Sequence, residues 1–142
     1  YKLILDMKKG LLPLIAVFLI ALTFSGCSKN DDDINDLDDS LILNKWWYDS
    51  NNFTADIYFN SNGKYEQKIV LLGSEFTGEG DWDWIDKEAG ILKVSNLSGQ
   101  GQLVSSTLVK ITDITNNSIT VQSSLNDGET YSDKVYYVDT DQ

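Results

Sequence analysis

The chain has 142 residues with 22 acids against 11 lysines, no arginine and no histidine, a net charge of −11. A surface of that sign repels phosphate backbones and lacks the guanidinium fork used for bidentate phosphate recognition, so nucleic-acid binding is excluded as a function class. With no histidine and a single cysteine, the common nucleophile–base pairs are missing and no disulfide can form within the chain.

The elements follow in chain order. Met7-Lys8-Lys9 is a short basic start, and Leu11 to Phe24 carries no charge. A basic segment followed by an apolar run too short for the roughly 20 residues of a spanning helix is the pattern of a secretory signal, with Tyr1 to Asp6 read as upstream of the start. Small residues come next, Ser25-Gly26-Cys27, and then acids. This stretch resembles the bacterial lipobox, departing from it at Phe24, where leucine is usual. The resemblance implies lipidation of Cys27 by palmitate-like chains after removal of residues 1–26, and an outer-membrane anchor. A multiply acylated cysteine would hold permanently, since each buried CH₂ adds about 0.8 kcal/mol.

From Cys27 onward eight lysines face 21 acids, a net of −13. Residues 27–40 form an acidic tether: Ser28 to Ser40 contains six aspartates and one lysine. Such a composition cannot bury enough apolar surface to order itself, and thirteen residues reach about 45 Å at full extension. Lys29 followed by Asp31-Asp32-Asp33 also looks like the surface-export signal of some Gram-negative lipoproteins, so display on the cell surface is expected, the periplasmic face being the other option. The run lacks the turn glycine and ligand spacing of a calcium loop.

Residues 41–142 are expected to form one domain. It has no proline, no helical period, and short β-branched and aromatic runs broken by Asn, Gly, Asp and Ser. Strands are predicted over 44–49, 55–60, 64–72, 79–86, 90–95, 102–112, 118–125 and 131–138. Hairpin turns fall at Asn60 to Gly63, Asp86 to Gly90, Thr115 to Ser118 and Asn126 to Gly128. Tyr65, Gln67, Ile69 and Leu71 alternate with Lys64, Glu66 and Lys68, which sets one face inward. Serial hairpins of this length favour an all-β, small antiparallel up-and-down eight-stranded barrel, wide enough for packed side chains or one small ligand.

Leu43-Asn44-Lys45-Trp46-Trp47, then Tyr58 to Tyr65 with its Asn-Gly turn, then Gly80-Asp81-Trp82-Asp83-Trp84 resemble, in order, the lipocalin-like domain of secreted bacterial lipoproteins. Asn44 stands where that family has glycine. Trp46 matches its tryptophan, which implies that Trp46 plugs the barrel floor. The arginine that covers this tryptophan in lipocalins has no counterpart here, and a lysine over Trp46 is the available substitute.

The resemblance implies non-covalent binding of a small hydrophobic molecule; the residues themselves point to no cofactor, no metal and no catalytic pair. Trp82, Trp84, Tyr65 and Tyr137 are the candidate ligand-binding aromatics; packing in the β core is the competing role for the tryptophans. Asp81, Asp83, Asp86 and Glu88 are assigned to a solvated outer face, and Gly78, Gly80, Gly99 and Gly101 to bulges or loops. The alternative reading is a barrel filled by its own side chains that contacts glycans or a partner protein through its outer surface.

Overall fold

The computed structural model describes residues 37–100 and 102–142. The leader, Cys27 and the tether as far as Asp36 lie outside them. Among the described residues, eight strands close into an antiparallel up-and-down barrel of lipocalin-like architecture, each paired with its sequence neighbours and the first with the last. They are β1 (Trp46–Asp49), β2 (Asp56–Phe59), β3 (Lys64–Leu71), β4 (Ser74–Asp86), β5 (Ile91–Gly99), β6 (Thr107–Ile114), β7 (Ser118–Ser124) and β8 (Val135–Val138).

The turns carry the chemistry their geometry requires. At Asn60 to Gly63 the Gly63 N–H donates to the Asn60 carbonyl at 3.0 Å, and Gly63 alone takes a positive φ, 82°. That is a type I turn closed by a left-handed glycine rather than a two-residue turn with both φ positive. A hairpin absent from the sequence-based expectation joins β3 to β4. Its two loop residues, Leu72 and Gly73, both have positive φ (52° and 78°), so the predicted strand over 64–72 ends one residue early and the next begins at Ser74, not 79. The strands predicted over 44–49, 55–60 and 118–125 lose one or two residues at their ends, and two others shorten further. Residues 102–106 and 131–134 are loop, because single backbone bonds, from the Leu97 N–H to the Ser105 carbonyl and from the Ser132 N–H to the Ser123 carbonyl, tie them to neighbouring strands and ladder pairing starts only at Thr107 and Val135.

Alternation then assigns the faces. Trp47, Ile57, Phe59, Tyr65, Leu92, Val94, Val109, Ile111, Ile119, Val121 and Tyr137 are buried and share the core. The opposite parity presents Lys64, Glu66, Lys68, Glu79 and Asp81, in register across β3 and β4. Apolar inside and charged outside is the inverse of a transmembrane barrel's polarity.

The turns at 60–63, 86–90 and 114–118 gather at one end, which is closed from below by the segment entering β1. There Leu37 and Ile42 are buried and Asp38 caps a short 3-10 turn, Asp39–Leu41, with its carboxylate accepting from the Ser40 N–H at 3.0 Å. Asp39 pairs with Lys87 at 2.9 Å. Residues 37–40, expected in the tether, thus belong to the barrel's floor, because Leu37 finds an apolar site under the strands.

The floor tryptophan is Trp47, fully buried, and not Trp46. Register decides this: Trp47 lies opposite Ile57 and shares its inward parity, whereas Trp46 lies opposite Tyr58 on the outer face. Trp47 Nε1 donates to the Ile42 carbonyl at 3.0 Å, and the Lys45 ammonium sits 4.3 Å from its ring centroid while donating to the Asn116 carbonyl at 2.6 Å. Outside, Trp46 packs on Tyr58 at 5.4 Å with Lys68 over it at 4.6 Å. Asn44 takes a φ of 59°, a left-handed conformation that glycine or asparagine tolerates best, and its side chain accepts from the Ser61 N–H at 2.9 Å.

Candidate functional site: an uncharged cavity in the open half of the barrel

Above Phe59 and Tyr65 the barrel is hollow. A cavity of about 200 Å³ opens toward the loops at 50–55, 102–106 and 125–134. Its walls are apolar, from Ile57, Leu97, Val104, Val109, Val121 and Val135, with Leu125 at the mouth. The polar atoms come from Thr54, Gln67, Gln102, Thr107, Ser123 and the hydroxyls of Tyr65 and Tyr137. None of the described lining residues is charged.

Two polar devices are built into the wall. In the first, Tyr65 donates to Gln67 Oε1 at 3.0 Å and Gln67 Nε2 donates to Gln102 Oε1 at 2.9 Å. Gly78 leaves room for it: a Cβ there would lie 3.1 Å from Gln67 Cγ and 3.2 Å from Gln102 Oε1, so the relay would have to shift by a few tenths of an ångström. The relay ends on a carboxamide, which can offer either a donor or an acceptor to a ligand. Burial pushes the Tyr65 hydroxyl far above its ordinary pKa, with Tyr137 adding to the rise, so it stays a neutral donor.

The second device fixes the β1–β2 loop. Asp49, only 3% exposed, accepts from the N–H groups of Asn51 (3.0 Å), Phe53 (2.9 Å) and Thr54 (2.7 Å) and from the Thr54 hydroxyl (2.9 Å). Burial alone would raise its pKa, but these hydrogen bonds outweigh it and the carboxyl lies below its ordinary value. The Tyr137 hydroxyl reaches the Ala55 carbonyl at 3.1 Å and Thr54 Oγ1 at 3.0 Å. Burial pushes Tyr137 up to about 12; the Thr54 hydrogen bond lowers it in part, and the charges of Asp49 and Asp56 raise it further. Asp56 is held above its usual range by burial, against the Asp49 N–H and Lys68, which lower it.

The candidate aromatics therefore separate. Tyr65 and Tyr137 line the cavity. Trp82 and Trp84 do not; they pack in the closed half, Trp82 edge-on to Phe59 at 5.5 Å and to Trp84 at 5.9 Å. Trp82 Nε1 donates to the Asn60 carbonyl at 2.9 Å, while the buried Nε1 of Trp84 has no partner among the described residues. Asp81 lies on the outer wall, where hydrogen bonds from Asn96 at 2.8 Å and Lys64 at 2.6 Å lower its pKa. Among the described residues no three acidic or thiol side chains gather into a metal site.

Sequence reasoning missed Gln67, Gln102, Thr54 and Asp49. One signal was present: Asp49 shares the inward parity of Trp47, and an acid at an inward position must be hydrogen-bonded. No protein-family model matches the chain, and neither a curated protein nor a solved structure matches it.

Proposed function

We propose that this chain is a lipid-anchored outer-membrane lipoprotein whose barrel binds a small, uncharged, largely apolar molecule non-covalently at its open end. One observation carries the binding reading: the interior is half hollow, and the hollow half combines apolar walls with neutral hydrogen-bonding groups, the Tyr65–Gln67–Gln102 relay and the Tyr137–Thr54 pair. At about 200 Å³ it falls below the 300–1,000 Å³ of most drug-sized sites. An apolar cavity of about 150 Å³ accepts benzene, so the fitting ligand is a single ring or a short chain with one polar group. No cation faces the cavity and Asp49 lies behind one wall, which together disfavour a carboxylate.

A thermal-shift and calorimetric panel of p-cresol, benzamide, benzoate and benzylamine tests this. The neutral pair should stabilise the protein, and Val121→Phe should abolish the effect by filling the space. Stabilisation by benzoate alone, or by none of the four, would overturn the reading. The anchor is tested separately: Cys27→Ser should abolish incorporation of radiolabelled palmitate in cells.

A second reading has its own observation. Trp46, Tyr48 and Tyr58 form a half-exposed aromatic strip on the outer wall with Lys68 over it. Such a strip suits a glycan or protein partner, and a chain that ignored the whole panel yet lost a cell-surface partner on Trp46→Ala would favour that role.

A further inference from the structure

The β3–β4 hairpin is longer than the barrel needs. Pairing of β3 with β2 stops at Lys68, opposite Asp56, and pairing of β4 with β5 reaches only Gly78, opposite Gly99. Beyond those points β3 and β4 pair with each other alone, through Ile69–Phe76, Val70–Glu75 and Leu71–Ser74. A two-stranded ribbon standing by itself is marginal in water, and one meant for water would carry polar residues. This one carries Ile69, Val70, Leu71, Leu72 and Phe76, with Glu75 as its one ionisable group. Val70 and Leu71 are exposed although they point to opposite faces, and Leu72 at the tip is fully exposed. Leucine is moreover a poor choice for the left-handed φ of 52° it holds there. The residue is strained for the turn and apolar toward solvent.

The other loops at this end repeat the pattern. Phe53 is 85% exposed between β1 and β2, Leu103 95% between β5 and β6, and Leu125 71% after β7. In a chain of net charge −11, residues 50–55 and 98–106 contain no ionisable side chain. Exposed apolar groups at the tips of separate loops, directed to one end and cleared of charge, describe a surface that meets something flat and apolar.

We propose that the open end docks on a lipid surface of low net charge, with the β3–β4 ribbon entering the headgroup region first. The occupant is lipid rather than a folded partner because exposed apolar side chains stand on both faces of the ribbon, Val70 beside Glu75 on one and Leu71 on the other, and at its tip, Leu72; a protein groove would cover one face, whereas a fluid layer surrounds all three. The unpaired backbone along the ribbon's two edges limits entry to the hydrated interface. The acidic remainder of the chain repels anionic lipid, so zwitterionic lipid is preferred. This goes beyond ligand binding and stands without it.

The test uses the full chain with Cys27→Ser, so that one thiol can be introduced. An environment-sensitive dye on Ser74→Cys, beside the tip, should brighten and shift to the blue with phosphatidylcholine vesicles and be quenched by nitroxide lipids, and respond less to vesicles rich in phosphatidylglycerol. The same dye on Asn62→Cys, at the closed end, should stay in water. Adding Leu71→Ser and Leu72→Asn should cut the response about tenfold; asparagine suits the positive φ, so the turn survives and a folding defect is not the cause. A dye at position 74 that stays in water would overturn the proposal. So would a stronger response to phosphatidylglycerol, or a concentration-dependent shift without vesicles, which would mark the ribbon as a contact between copies.

Discussion

The closed and open halves of the barrel are made from the same strands and obey different rules. Below the level of Phe59, inward positions hold Trp47, Leu92, Ile111 and Ile119, all at or near full burial, with Trp82 and Trp84 partly buried against them. Above it, the same strands turn Asp49, Gln67, Gly78, Thr107 and Ser123 toward the interior or its rim. The lower half concentrates large apolar side chains, where each adds burial and mutual packing. The upper half keeps a void and makes its polar groups satisfy one another. Dense packing and open space thereby fall at different ends of one sheet, so a change in one end need not disturb the other.

The largest expected effect tests which tryptophan is the floor. Trp47→Ala should cost about 3–5 kcal/mol in urea unfolding, the usual range for a buried aromatic truncated to alanine. Trp46→Ala, on the outer wall, should cost about 1 kcal/mol, from its Tyr58 and Lys68 contacts. Equal costs would erase the distinction between the two faces of β1. Overpacking gives the next contrast. Leu92→Phe in the filled half should destabilise by about 1–3 kcal/mol, because no space receives the ring. Val121→Phe in the hollow half should change stability by less than about 1 kcal/mol while abolishing ligand binding.

Much of this architecture is legible in the residues. The alternation from Lys64 to Leu71 and the turns at Gly63 and Gly90 define hairpins without any tertiary information, and serial hairpins imply the meander. The β3–β4 turn escapes because Ile69-Val70-Leu71-Leu72 reads as one continuous strand; nothing in its composition announces a leucine at positive φ. Trp46 and Trp47 cannot be told apart locally, since Trp-Trp-Tyr offers aromatics to both faces. Only the register against Ile57 and Phe59 settles it. The cavity is hidden for a related reason: Gln67 and Gln102 are 35 residues apart and meet across β3 to β5, over a glycine that sequence reasoning assigns to a bulge or loop.

Asp49 offers a smaller effect with a diagnostic pH dependence. Asp49→Asn presents an amide to four donors and should lose about 1.5–3 kcal/mol at pH 7, as for charge-assisted hydrogen bonds. The folded carboxyl lies below its ordinary value, so its stabilisation is complete above the unfolded pKa, near 3.9, and is lost as pH falls through the folded value. Urea curves should therefore converge for the two proteins below about pH 4. Asp56 has the opposite sign: its raised pKa means that protonation favours the fold, so acidification from its folded value toward the unfolded one should add stability. A gap between wild type and Asp49→Asn that persists undiminished to pH 3 would show that shape, not charge, matters at this loop.

The smallest contrast lies within the closed half itself, between two neighbouring indoles. Trp82 completes the Asn60 carbonyl at 2.9 Å, while the Nε1 of Trp84 is buried without a partner among the described residues. A buried donor left unpaired forfeits its hydration, so the ring's packing at Trp84 is partly cancelled by its own N–H. Trp84→Phe removes that donor and should cost less than Trp82→Phe by about 1 kcal/mol, although both substitutions remove the same volume. Urea midpoints at constant m-value decide it. If Trp84→Phe proves the more damaging, the indole N–H has a bond, and a buried water held between Trp84 and the strands beside it becomes the explanation to pursue.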